Sequence, residues 1–168
     1  MSGFRIIPLQ RCLEIINTWA RAPWPLTTDQ AHTIALGLGW RPIEGKALLF
    51  GGDLAADEGD SFVTSLQGQV GSVDFPLVTR VAKDQEAQAG PLNLELFHNV
   101  VEALQAHYGK PTLSNDGRFN SATWTLGSGV TIDLDRSPRF FTATINSPAR
   151  TALLANAAAD PNSDEMDF

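Results

Sequence analysis

Apolar positions recur along this chain at two periods, close to 3.6 and close to 2, and the switches between them divide it into elements. From Leu9 to Ala20, apolar residues at Leu9, Cys12 or Leu13, Ile16 and Trp19 or Ala20 fit one helical stripe, which Pro23 and Pro25 then prevent from continuing. Thr27, with Gln30 three residues later, matches a capping box for a second helix. Ala31, Ile34, Ala35 and Leu38 line it and Gly39 ends it. After Trp40 the spacing predicts strands at Ala47 to Phe50, Phe62 to Leu66 and Val70 to Val78, with the glycine- and acid-rich Gly51 to Asp60 loop after the first. Pro76 has no N–H for a ladder, so it must lie on an edge or near a strand end.

The polar stretch Lys83 to Gly90 reads as a surface connection. Asn93 then caps a third helix with Leu94, Phe97, Val101, Leu104 and Tyr108 on one side, stopped by Gly109 and Pro111. Ser114 to Asn120 reads as a loop. Trp124 and Leu126, then Val130, Ile132 and Leu134, flank Gly127-Ser128-Gly129 as a hairpin whose alternate positions are threonines and aspartates, a half-buried sheet with one wet face. Arg136 to Arg139 makes a turn into a strand carrying Phe141, Ala143 and Ile145. A short helix over Ala149 to Ala159 follows. The expected fold is α+β: an antiparallel sheet with helices on one face, readable as two helix-plus-three-strand units with extra terminal helices. Residues 1–159 are expected to form one domain, and residues 160–168 a disordered acidic tail.

Composition narrows the function classes. The chain has 168 residues, 43% of them apolar, enough for a core of its own. No apolar run approaches the roughly 20 residues that cross a bilayer, and the first eight residues lack a signal-peptide pattern, so a cytoplasmic protein is expected. Twelve basic against 19 acidic residues leave a charge of −7, which disfavours nucleic acid and anionic membranes and favours a basic protein surface. Asp53, Asp57, Glu58 and Asp60 concentrate that charge in one loop, and Asp160, Asp164, Glu165 and Asp167 in the tail. Both groups read first as solubility devices and a frayed end, and second as a surface for a basic partner.

Motifs for chemistry are few. Glu95 and His98 have the spacing of one half of a di-iron motif, without the second half, and fall on the solvated side of the third helix. Cys12, the only cysteine, sits among Leu13, Ile15 and Ile16 and reads as a buried, inert thiol. Gly37-x-Gly39 closes a helix and Gly51-Gly52 leads into acids, so neither cradles phosphate. Asp133 and Asp135 share a sheet face and read as its wet side rather than as an acid–base pair. No catalytic residue, metal or cofactor is implied. For binding, Trp24 between Pro23 and Pro25 is either an exposed anchor or a staple folded onto the helices, and the acidic loop is the second candidate.

Leu38-Gly39-Trp40, the Gly71 to Phe75 segment, the Phe97 helix ending at Tyr108-Gly109-Lys110-Pro111-Thr112 and the Trp124-to-Val130 hairpin resemble an uncharacterised family of small bacterial proteins over residues 28–146. Such families are similar to immunity proteins. The resemblance implies a cytoplasmic protein that neutralises a toxin by masking its active site, with no catalytic residue to carry over; the partner-binding candidates remain those read from the residues, Trp24, Asp53, Asp57, Glu58 and Asp60. Two other readings stay open. A secretion-type chaperone would be favoured by obligate dimerisation, and an enzyme or small-molecule-binding domain by a deep polar pocket holding His98 or the Asp133–Asp135 pair.

Overall fold

The computed structural model describes residues 4–55 and 58–159; Asp57 and the acidic tail lie outside them. Helix α1, Leu9–Ala20, buries Cys12, Ile15, Ile16 and Trp19, the stripe its spacing predicts. Helix α2, Thr28–Gly37, is opened by both halves of the capping box. The Gln30 N–H donates to Thr27 Oγ1 at 3.1 Å and the Thr27 N–H to Gln30 Oε1 at 2.9 Å. Gly39 then takes a φ of +84°, which a side chain would resist, and turns the chain into the sheet.

Eight strands form among the described residues, where six were expected. They are β1 Arg41–Ile43, β2 Lys46–Gly51, β3 Ser61–Leu66, β4 Gln69–Pro76, β5 Thr112–Asn115, β6 Asn120–Thr125, β7 Thr131–Ser137 and β8 Phe140–Asn146. The two additions, β1 and β5, are the outermost strands of one sheet of order β1-β2-β3-β4-β8-β7-β6-β5. Both are short and largely exposed, so neither carries apolar alternation for the sequence to reveal. The repeating unit is therefore a helix followed by a four-stranded antiparallel meander, not a helix with three strands. The two meanders join through their last strands, with Val73 opposite Ile145 and Phe75 opposite Ala143. Pro76 is the last residue of β4, the strand-end position its missing N–H requires.

Helix α3 runs from Glu86 to Tyr108, eight residues earlier than an Asn93 cap allows, with Pro91 inside it. Lys83–Gln85 is a 3₁₀ turn leading into it, so most of the expected surface connection is helical. Asn93 is buried, and its amide donates to the carbonyls of Ser137 at 2.7 Å and Phe140 at 3.0 Å. It ties the helix to the β7–β8 turn instead of opening the helix. Arg136 is also buried; it donates to Gly90 O at 2.8 Å and Asn120 Oδ1 at 3.0 Å. These tertiary bonds hold a helical turn that Gly90 and Pro91 would weaken in isolation.

Helices α1 and α3 pack on β7 and β8, and α2 on β1, β2 and β4. The side chains between them form one buried cluster that includes Trp19, Trp40, Phe50, Val73, Leu104, Trp124 and Phe141. Trp40 and Trp124 are core residues, with 3% and 2% of their surface exposed. Helix α4, Pro148–Ala159, touches β4 and leaves Leu153 and Leu154 half exposed.

Candidate functional site

Alternation along the strands leaves the second face of the sheet without Val, Ile or Leu at its centre. Reading across β4, β8, β7 and β6, one row is Asp74, Thr144, Asp133 and Thr123. The next is Pro76, Thr142, Asp135 and Ser121. Two sequence-distant segments thus place three carboxylates on one face, Asp74 on β4 and Asp133 and Asp135 on β7, with β8 between them. Thr144 Oγ1 donates to Asp74 Oδ1 at 2.6 Å, and Asn146 Nδ2 to Asp133 Oδ2 at 2.8 Å. Among the described residues, no ion pair reaches any of the three. Desolvation by the neighbouring strands, then the like charges of Asp133 and Asp74, hold the Asp135 carboxyl above its ordinary value.

The Gly51 to Asp60 loop borders this face. Gly59 lies flat on β2, where an added Cβ would come within 2.2 Å of Leu49 Cγ. Between the loop and the sheet is a cleft of about 380 Å³ lined by Leu54, Glu58, Pro76, Arg80, Phe140 and Thr142. A second, of about 320 Å³, lies beside Phe119, Ser121, Asp135 and the other side of Phe140. Phe140 separates the two, with the Arg80 guanidinium 5.4 Å from its ring centroid.

The acids singled out by sequence have different surroundings. Asp53 makes a two-point pair with Arg11, Nε to Oδ2 at 2.8 Å and Nη2 to Oδ1 at 2.9 Å. Arg11 also donates to Leu38 O, and Arg5 and Arg41 donate to the carbonyls of Leu54 and Ala55. The loop is therefore tied to α1, to the end of α2 and to β1. Asp60 accepts from the Gly52 N–H at 2.8 Å and Ser61 Oγ at 3.0 Å. Glu58 is exposed on the cleft wall. Trp24 is half-buried against the core and its indole donates to Trp19 O at 2.9 Å, the geometry of a staple with one side still open.

Sequence reasoning passed over Asp74, Arg80 and Phe140. The alternation of Val73, Asp74 and Phe75 marked Asp74 as outward, but only the β4–β8 pairing sets it beside Asp133. Glu95 and His98 are exposed on α3, as a solvated helix face requires. Burial pushes the Cys12 thiol up to about 12, in keeping with an unreactive sulfur. Among the described residues no group of three His, Cys, Asp or Glu could hold a metal ion, and no helix is long and apolar enough to cross a membrane.

The model of DUF6301, a family of unknown function, matches residues 10–147. That span runs from α1 to the end of β8 and takes in both helix-plus-four-strand units. The resemblance to an uncharacterised family holds at that level, and the match carries no link to immunity proteins. No curated protein and no solved structure matches the chain.

Proposed function

We propose, for a chain that belongs to the DUF6301 family of unknown function and inherits no activity from it, that it works by binding a basic protein through the open face of its sheet. The observation that carries this reading is the set Asp74, Asp133 and Asp135, gathered on one sheet face on either side of β8, with no ion pair to any of them among the described residues. Like charges gathered on one face repel one another, so they favour a partner that brings Arg or Lys. Glu58 at the rim extends the same field, and Phe119 and Phe140 beside it offer apolar contact. The finer proposal is an immunity-type role, in which this face covers the active site of a toxin domain with a basic cleft. The −7 charge supports it, since such pairs associate fast through complementary fields.

The test begins with a toxin-like domain encoded beside this chain, co-expressed and purified with it. A stable complex, loss of the domain's toxicity and an association rate that falls steeply with salt are expected. A toxin domain that stays active in the complex would leave the binding reading standing and remove the immunity role. A complex indifferent to Asp74→Asn, Asp133→Asn and Asp135→Asn together would remove the proposed surface.

A further inference from the structure

The two edges of the sheet differ in a way that points to self-association. Edge strand β1 has three residues, contains Pro42, breaks register between Pro42 and Ile43, and sends Arg41 across to the Ala55 carbonyl. Proline, irregular register and charge are the usual protections of a sheet edge. Edge strand β5 has none of them. Thr112, Leu113, Ser114 and Asn115 pair with β6 in unbroken register, are uncharged and are all exposed, Leu113 to 63%. An antiparallel edge of this kind presents alternate N–H and C=O groups to whatever comes alongside.

We propose that β5 pairs antiparallel with β5 of a second copy of this chain, about a twofold axis through Leu113. The flanking residues argue for that occupant and that register. A twofold perpendicular to the sheet joins like faces, so residues opposite each other must point the same way. With Leu113 on the axis, Leu113 meets its own copy, Thr112 meets Ser114, Pro111 meets Asn115, and Lys110 of each copy stands opposite Asp116 of the other. Moving the axis to Ser114 would set Lys110 against Arg118, and moving it to Thr112 would set Leu113 against Pro111. Only the first register combines a leucine pair with two opposite-charge pairs. The Asp116 carboxyl accepts the backbone N–H groups of Phe119 at 2.8 Å and Arg118 at 3.1 Å, which hold it below the usual carboxylate range and therefore charged. In a chain of net charge −7, copies repel except where a surface is locally balanced, and the Lys110–Asp116 stretch has one charge of each sign.

The pairing extends each eight-stranded sheet into its neighbour and leaves both acidic faces on the same side, so it does not depend on the partner proposed above. The contact is small beside a standard interface, so the association is expected to be weak and concentration-dependent. Sedimentation velocity from about 1 to 500 μM, the range of weak association, is expected to show the full chain passing from monomer to dimer. Leu113→Lys, at an exposed position, is expected to raise the dissociation constant more than tenfold with an unchanged circular dichroism spectrum. Leu113→Cys is expected to form an intermolecular disulfide under mild oxidation, while the buried Cys12 stays reduced. A chain that remains monomeric throughout, or a dimer undiminished by Leu113→Lys, overturns the proposal. A dimer in which Leu113→Cys does not cross-link overturns the register.

Discussion

Two acidic regions lie side by side on this protein, and their carboxylates are held in opposite ways. In the Gly51 to Asp60 loop, Asp53 is matched to Arg11 and Asp60 to a backbone N–H and a serine hydroxyl, while Arg5 and Arg41 hold the loop's carbonyls. On the open sheet face, Asp74 and Asp133 accept only from neutral donors, and Asp135 accepts no hydrogen bond among the described residues. An acid engaged by an arginine of its own chain is part of the fold and contributes little outward field. An acid held beside other acids stores repulsion that a cationic partner can relieve. Clusters that look equal in composition therefore differ in what they can offer.

The largest effect expected from this contrast is structural and falls on the loop side. Arg11→Ala removes the two-point pair to Asp53 and the bond to the Leu38 carbonyl at once. Both partners of the pair are about three-quarters covered, so the loss exceeds that of an ordinary surface pair. A destabilisation of about 2 kcal/mol is expected, lowering the melting temperature by roughly 4–8 °C in calorimetry. A variant as stable as the parent would mean that the loop's acids are not held by the fold, and the contrast would collapse.

The second effect concerns binding. Asp74→Asn, Asp133→Asn and Asp135→Asn together are expected to slow association with a basic partner by about tenfold at low salt, and much less at high salt. Asp53→Asn is expected to change the same rate less than about twofold, because that charge already faces Arg11 within the chain. Stopped-flow or surface-based kinetics at two ionic strengths separates the cases. Equal effects from both would erase the distinction.

The sequence made the elements legible where burial set a period. Thr27 and Gln30 marked a helix start, and Trp124, Ile132 and Leu134 marked a strand pair, because each signal lies within a few residues of its effect. It was silent at β1 and β5, whose residues are exposed and carry no alternation. It misplaced the start of α3 because Gly90 and Pro91 argue locally against a helix that Asn93 and Arg136 secure from the far side of the chain. The candidate site was half legible. Asp133 and Asp135 stood out as neighbours on one strand, whereas Asp74 joins them only through the antiparallel meeting of two meanders across some sixty residues. Loop acids were conspicuous by crowding, yet the arginines that hold the loop, Arg11 through Asp53 and Arg5 and Arg41 through backbone carbonyls, come from other elements, which composition cannot reveal.

The smallest effect expected reads the desolvation of Asp135 and, after it, the repulsion from Asp133 and Asp74. Because Asp135 is raised above its ordinary 3.8 in the folded chain, the folded state binds protons more tightly than the unfolded one across the window just above that value. Stability attributable to this group therefore falls as pH rises through that window and stays lowered at neutral pH. Asp135→Asn removes the cost, so the variant is expected to be more stable than the parent at pH 7 and equal to it near pH 3. The site is open to solvent, which screens the repulsion and limits the gain to about 0.5 kcal/mol, or roughly 1–2 °C in melting temperature. Asp53→Asn is expected to move the other way at pH 7, since it gives up the pairing with Arg11. Melting curves of the two variants at both pH values settle the sign. A stabilisation by Asp53→Asn, or a loss of stability in Asp135→Asn, would reverse the assignment of which acids the fold holds and which it leaves for a partner.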